Sequence, residues 1–299
     1  MNSAQGAYSS DISVMRLLWS QLRPHQWTKN LLIFAALLFT FEQINVHNVL
    51  ITIAGYILYC LVSSCVYILN DFIDRETDRN HPIKRYRPMA SGKLNPGLAL
   101  TFGVLLLIGS LVTAAAMRPL FGLLLFFYFL MNLFYSLWLK HIVIIDIMII
   151  AAGFVLRAIG GAIMIEVSFT PWFLLCTLLL SLFLAIGKRR HELLLLEQDK
   201  DTHREVLKHY SLALLDQMNG IVTTATIMSY SLFTFTSGRT IHLMWTIPFV
   251  IFGIFRYLYL IHIEKKGGAP DRVLFEDKPI LFTVLLYGAS VVTIVSVFE

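Results

Sequence analysis

Long apolar runs alternate with short polar connections along the whole chain. Runs near or above membrane-spanning length lie at about 30–46, 49–69, 97–117, 119–138, 142–165, 170–187, 212–236, 242–262 and 279–298. They predict an all-α integral membrane protein with nine transmembrane helices, built as one polytopic domain over residues 1–299 with no linker. Two boundaries are tight. Arg118-Pro119 separates the third and fourth helices, and 139–142 separates the fourth and fifth. Pro171, Pro248 and Pro279 fall where helices begin, the place a missing N–H is tolerated. Residues 10–24 read as a short amphipathic segment lying at the membrane interface.

Composition strengthens this reading. Of 299 residues 57% are hydrophobic and only 14% charged, against about 25% charged in a soluble domain. Mean hydropathy is +0.70. The net charge of +5 matters less than where the cations sit. Lys and Arg gather in the N-terminal segment (Arg16, Arg23, Lys29), in 71–96, at Lys140, in 188–211 and in 263–278. The opposite connections offer only Arg118 and Arg239. Cations mark the cytoplasmic side, so the N-terminus and the three long loops are expected there, in a multi-pass protein of the inner (plasma) membrane. The regular alternation supports the count of nine. Two long loops, each after the second helix of a four-helix set, hint at a diverged duplication from spacing alone.

Several chemistries drop out. No apolar core precedes a small-residue cleavage site in the first 30 residues, so no secretory signal is expected. Cys60, Cys65 and Cys176 sit inside apolar runs and read as small buried hydrophobes. The nine histidines form no HExxH or Cys/His cluster, so a zinc site is not expected. No nucleic-acid partner is expected either.

The chemistry concentrates in Asn70–Lys93, which holds four carboxylates and six Lys/Arg directly after an apolar run. Asn70, Asp71, Asp74 and Asp78 stand at spacings that put all four on one face of a helix. A solvated helix end explains the cations but not the one-sided carboxylates, because like charges three or four apart repel unless something neutralises them. Mg²⁺ takes one or two carboxylates and completes its shell with water and phosphate oxygens. A carboxylate face followed by Lys84-Arg85-Tyr86-Arg87 therefore points to a metal–phosphate site.

These residues resemble the first aspartate motif of the UbiA superfamily of intramembrane prenyltransferases, which have nine transmembrane helices and carry the motif after the second. Further blocks resemble the branch of that family that places phosphoribose on polyprenyl phosphate. They are Arg23-Pro24-x-x-Trp27-Thr28-Lys29-Asn30, His81-Pro82-x-Lys84-Arg85-x-Arg87-Pro88, Tyr135-Ser136 with Lys140, Asp146 with Gly153-Phe154-x-x-Arg157-Ala158, and Gly187-Lys188-Arg189-x-x-Glu192-Leu193. The resemblance runs in order from about residue 20 to the last helix.

The second polar cluster separates branches. Relatives acting on aromatic acceptors carry a second aspartate-rich motif after helix six, whereas here the place reads Gly187-Lys188-Arg189-Arg190-His191-Glu192. A positive-inside flank explains such cations too. The change also suits substrates with extra phosphates, since Arg binds phosphate bidentately and Lys acts as a point charge. Other positions carry plain alternatives. Trp27, Lys29 and Tyr135 fit an interfacial belt as well as a site. An unpaired Asp146 inside helix five would be costly, so a partner or a wet cavity is expected. Arg157, eleven residues on, lies ~16 Å along the axis; it cannot pair with Asp146, and a cavity role and a packing role stay open. Asp216, Gln217 and Asn219 line the same cavity or sit at the interface.

The resemblance implies Mg²⁺-dependent transfer of 5-phosphoribose from phosphoribosyl diphosphate to a polyprenyl phosphate lipid, releasing diphosphate, at the cytoplasmic mouth of the bundle. It implies Asp71, Asp74 and Asp78 as catalytic residues, with Asn70, Asp71 and Asp74 holding the metal. Lys29, Asn30, Asn70, Lys84, Arg85, Arg87, Tyr135, Lys140, Asp146, Arg157, Lys188, Arg189 and Glu192 are the expected substrate contacts. In organisms with an arabinan-containing wall it points to arabinose-donor synthesis for cell wall biosynthesis. Three alternatives remain: prenyl transfer to an aromatic or haem acceptor, anion transport, and a non-catalytic membrane partner. Transporters place ionisable groups near the midplane, whereas these cluster at helix ends. Chain length of the lipid is open, and so is a homo-oligomeric state.

Overall fold

A computed structural model describes residues 13–40, 44–80, 82, 84–168, 170–196, 205–266, 273 and 276–298. Residues 10–12 of the amphipathic segment, His81 of the second motif, and the loop cations Lys200, Arg204 and Arg272 lie outside the described residues.

The regular elements among the described residues are all helical. They are α1 (Val14–Gln21), α2 (Ala35–Phe39), α3 (Val46–Ile73), α4 (Arg75–Arg79), α5 (Pro96–Met117), α6 (Pro119–Leu137), α7 (Ile145–Ile165), α8 (Pro171–Leu196), α9 (Leu212–Thr236), α10 (Ile247–His262) and α11 (Lys278–Phe298), with short 3₁₀ segments between some of them. Local sequence sets the starts. Asn45 caps α3, Asn95 caps α5 with Pro96 behind it, and Ser211 caps α9, each side-chain oxygen accepting a free backbone N–H. Pro171 opens α8, and Pro248 and Pro279 are the second residues of α10 and α11. The predicted proline positions hold.

Among the described residues seven helical stretches are long and apolar enough to cross a bilayer: Val46–Ile73, Pro96–Met117, Pro119–Leu137, Ile145–Ile165, Pro171–Leu195, Ile241–His262 and Lys278–Phe298. Two of the nine expected spans differ. The run at 30–46 is divided between a 3₁₀ segment, Pro24–Phe34, and the five-residue α2. Its Asn30 is buried and hydrogen-bonded, which fixes the backbone in a tighter wind than a lipid-exposed helix needs. α9 has the length, 25 residues, but a polar stripe of Asn219, Thr223, Thr226 and Ser229 faces inward.

The 3₁₀ segment lies across α7 and α3. Gly161 makes this approach feasible, because a Cβ there would stand 2.0 Å from the Ile33 carbonyl oxygen. Around it Ile33, Tyr59, Phe121, Leu125, Tyr128 and Met164 form the main apolar core. Polar side chains gather at one end of the bundle, where Lys140 meets Asp74, Arg189 meets Asp146, Arg190 meets Asp216 and Arg256 meets Asp277. At the other end Arg118 pairs with Glu166, and Arg239 donates to the Phe39 carbonyl.

Candidate active site

α3 carries the aspartate motif on its last turn. The i→i+4 ladder continues past its end, with Asp74 N–H on the Asn70 carbonyl at 2.9 Å and Asp78 N–H on the Asp74 carbonyl at 2.8 Å. At about 100° per residue all four fall within roughly 100° of arc, the expected single face. Their partners sort them into two rows.

Asp71 and Asp78 form the first row, and both are buried. Arg87 Nη1 donates to Asp71 Oδ1 at 2.9 Å and to Asp78 Oδ2 at 2.6 Å, so one guanidinium nitrogen bridges the carboxylates. Arg23 Nη2 donates to the same Asp71 oxygen at 2.5 Å, and Gln21 Nε2 to the other at 2.5 Å. Arg23 holds a left-handed backbone, φ 53° and ψ 59°, directly before Pro24. A non-glycine residue there is strained and is held by its surroundings. Its guanidinium also lies 5.1 Å from the Tyr67 ring centroid. A cleft of about 360 Å³ opens beside this row, lined by Ser20, Gln21, Arg23, His25, Asp71, Tyr86, Arg87 and Pro88.

Asp74, in the second row, has another partner. Lys140, in the 3₁₀ turn Leu139–His141 between α6 and α7, reaches Asp74 Oδ1 at 3.2 Å. Asp74 keeps 40% of its side chain exposed, the most open of the three aspartates. Lys84 and Arg85 stand exposed on the 3₁₀ turn Lys84–Tyr86, with Arg85 stacked on Tyr86. Lys29 is half-buried and donates to Gln26 Oε1 at 2.5 Å.

Asn30 and Arg157 lie apart from this cleft. Asn30 Nδ2 donates to Ser63 Oγ at 3.1 Å, while its Oδ1 accepts Arg157 Nε at 2.7 Å. Arg157 also donates to the Gly153 carbonyl and to Tyr128 Oη, and it lies over the rings of Tyr59, Tyr128 and Phe154. No carboxylate pairs with Arg157 among the described residues. Neutral acceptors and π faces take the charge.

The second polar cluster is sealed. Asp146 and Arg189 are 0% and 1% exposed and pair through Arg189 Nε and Asp146 Oδ2 at 2.6 Å. Arg189 also donates to Glu192, and to Tyr135 Oη at 3.3 Å. Tyr210 donates to Asp146 Oδ1 at 2.7 Å and accepts the Ile144 N–H at 2.6 Å. Burial, then the bond to Asp146, raises the Tyr210 phenol above its ordinary range. Asp146 has the partner that its depth demanded, and Arg189, expected on a phosphate, has its donors turned inward. Lys188, half-buried, precedes it on α8. Gln21, Arg23 and Tyr210 were not singled out as site residues. Arg23 alone had a signal, the Arg-Pro pair opening the Trp27-Thr28-Lys29-Asn30 block.

A divalent cation can be tested against these groups. Among the described residues no three His, Cys, Asp or Glu side chains converge as a ready cage. Mg²⁺ needs no such cage, since it binds through one or two carboxylates with water and substrate phosphate. Asp74, exposed and on the same row as Asn70, fits that sparse requirement. Asp71, with both oxygens taken, does not.

An all-helical bundle with membrane-length apolar helices, and with arginines and carboxylates converging at one end, defines an integral membrane protein with an anion-handling site. Comparison with known proteins gives the family: the sequence pattern described as "UbiA prenyltransferase family" matches residues 31–291, and the chain belongs to that family. It is 34% identical over 288 residues to the decaprenyl-phosphate phosphoribosyltransferase of Corynebacterium glutamicum, covering 91% of this chain and 84% of that one. The enzyme of the same name from Mycobacterium tuberculosis is 30% identical over 275 residues, covering 90% and 91%. In fold the chain is similar to a UbiA homolog from Archaeoglobus fulgidus bound to GPP and Mg²⁺, with TM-score 0.71 at 18% identity, covering 94% and 99%. A digeranylgeranylglyceryl phosphate synthase structure gives TM-score 0.68 at 18% identity, covering 94% and 99%.

Proposed function

We propose that this membrane enzyme transfers 5-phosphoribose from phosphoribosyl diphosphate to a polyprenyl phosphate. The observation that carries the reading is the convergence of Arg23, Arg87 and Lys140, from three separate segments, on the aspartates at the end of α3. Similarity over nine-tenths of the chain to decaprenyl-phosphate phosphoribosyltransferases supports it.

The reaction breaks the bond between the anomeric carbon and the diphosphate, which leaves with the electron pair. A lipid phosphate oxygen forms the new bond. That oxygen is ionised near neutral pH, so no general base is required. The chain's work is positioning and charge stabilisation. Asn70 and Asp74 would hold Mg²⁺, which supplies Lewis-acid stabilisation of the departing diphosphate. Arg87 and Arg23 line the adjoining cleft with Tyr86, and the exposed Lys84 and Arg85 directly before Tyr86 are assigned to the donor phosphates. Lys29, Lys140 and Lys188 serve the 5-phosphate and the acceptor phosphate. Asp146, Arg189, Tyr135 and Glu192 tie α6, α7 and α8 together at the same end of the bundle.

Nine crossings with a cytoplasmic N-terminus remain the reading of the topology. The stretch 24–39 is ~30 Å long if its 3₁₀ and α pieces run straight, the thickness of the hydrocarbon core. Its Arg23 end meets Asp71, and its Phe39 end meets Arg239 at the far side. Counting it and α9 with the seven apolar spans restores nine, with the site on the cation-rich, cytoplasmic side.

The test is to supply purified protein with labelled phosphoribosyl diphosphate and polyprenyl phosphate, with and without Mg²⁺. Label entering the lipid fraction, lost on chelation and restored by Mg²⁺, is expected. No label in lipid, together with prenyl transfer to an aromatic acceptor in a parallel assay, selects the prenyltransferase reading instead.

A further inference from the structure

We propose that Asp71 is not a ligand of the divalent cation but a positioning residue that seats Arg23 and Arg87 side by side as a diphosphate-binding pair. The inference rests on the reading of the cleft as a donor site and assigns the groups within it.

Occupancy comes first. Asp71 is 3% exposed, and its two oxygens accept three donors, two guanidinium nitrogens on Oδ1 and the Gln21 amide on Oδ2. A carboxylate offers about four acceptor positions, and Mg²⁺ demands near-octahedral space at about 2.0–2.1 Å. A divalent cation on Oδ1 would stand against two positive groups already within 2.9 Å of that oxygen. Asp74 differs on both counts, with its open side chain and a single lysine partner at 3.2 Å.

The second argument is what Asp71 accomplishes where it is. Two guanidinium nitrogens bound to one oxygen, at 2.5 and 2.9 Å, lie no more than 5.4 Å apart. Like charges do not settle at that distance unless an anion lies between them. Asp71 neutralises one charge and Asp78, on Arg87 at 2.6 Å, the other, so what the pair offers the cleft is its remaining N–H donors. Each arginine carries five N–H donors, and those not spent on carboxylates are available to the cleft both side chains line, where they remain 22% and 27% exposed. The strained Arg23 backbone, held by Asp71 and backed by Tyr67, shows that this placement is enforced. Two forked cations held on one carboxylate oxygen suit a diphosphate, one fork per phosphoryl group.

The test separates metal affinity from anion affinity in the full-length protein. Mn²⁺ binding is read by electron paramagnetic resonance, and binding of inorganic diphosphate by calorimetry at saturating Mg²⁺. Asp71→Asn is expected to change Mn²⁺ affinity less than twofold and to weaken diphosphate binding tenfold or more. Asp74→Asn is expected to weaken Mn²⁺ binding tenfold or more. Equal loss of Mn²⁺ affinity in both variants overturns the proposal. Arg23→Gln, which leaves every aspartate in place, guards against misfolding: it should raise the KM for phosphoribosyl diphosphate more than it lowers kcat, with Mn²⁺ affinity unchanged. The double variant with Asp71→Asn should bind diphosphate no worse than the poorer single variant, because the two act as a unit. Fully additive losses, or an unchanged KM in Arg23→Gln, overturn it. The Mn²⁺ and diphosphate measurements need no turnover, so they stand even if phosphoribose transfer is not observed.

Discussion

Two arginine–carboxylate clusters sit at the same end of the bundle, and their surroundings give them opposite uses. In the first, Arg23 and Arg87 keep about a quarter of their side chains exposed and line a cleft. In the second, Arg189 and Asp146 are sealed at 1% and 0% exposure. Similar residue types thus make a cleft-facing pair in one place and a buried tie in the other. The difference lies in water access. A guanidinium at an open cleft can exchange a carboxylate for a phosphate at little cost, whereas a buried pair that loses one member leaves an uncompensated charge.

The contrast can be broken from the strong end down. Asp74→Ala is expected to abolish phosphoribose transfer while the purified protein keeps its helical content and melting temperature; undiminished turnover would remove the aspartate row from the chemistry. Arg189→Met should cost about 3–5 kcal/mol of stability, because it strands Asp146, and thermal unfolding in detergent measures this. Arg87→Met should lower kcat/KM about 100-fold and also cost stability, because it strands the buried Asp78. If Arg189→Met lowers kcat/KM as much as Arg87→Met does, the distinction between open and sealed clusters fails. Tyr210→Phe should cost about 1–2 kcal/mol through the unpaired Asp146 oxygen and leave turnover near wild type. The smallest effect concerns Asp277, whose carboxyl the Arg256 hydrogen bond holds below its ordinary value. A depressed folded pKa contributes stability above the unfolded value of about 3.9. Asp277→Asn should therefore cost less than about 1 kcal/mol at pH 7, with the difference from wild type closing as the pH falls through the depressed value.

Most of the helical frame was legible because apolar composition and length are local properties. The stretch at 30–46 misled because hydropathy weighs Asn30 only as one polar residue. Its hydrogen bonds to Ser63 and Arg157, which hold the 3₁₀ wind, arise from distant helices. At the aspartate motif, spacing identified the shared face but not the partners that divide it. Only the arrival of Arg23 and Arg87, 48 and 16 residues away along the chain, distinguishes Asp71 from Asp74. Helical rise excluded an Asp146–Arg157 pair, correctly. The partner Asp146 does take, 43 residues on, had no local signature, and neither did the Tyr210 hydroxyl that completes it.

The bond between Asn30 and Arg157 also has a consequence in time. The two residues are 127 positions apart. At ~5–20 residues per second of synthesis, Asn30 is added to the chain about 6–25 s before Arg157. The segment that carries Lys29 toward the site therefore waits in the membrane without its anchor, and cannot take its final wind until α7 has been made.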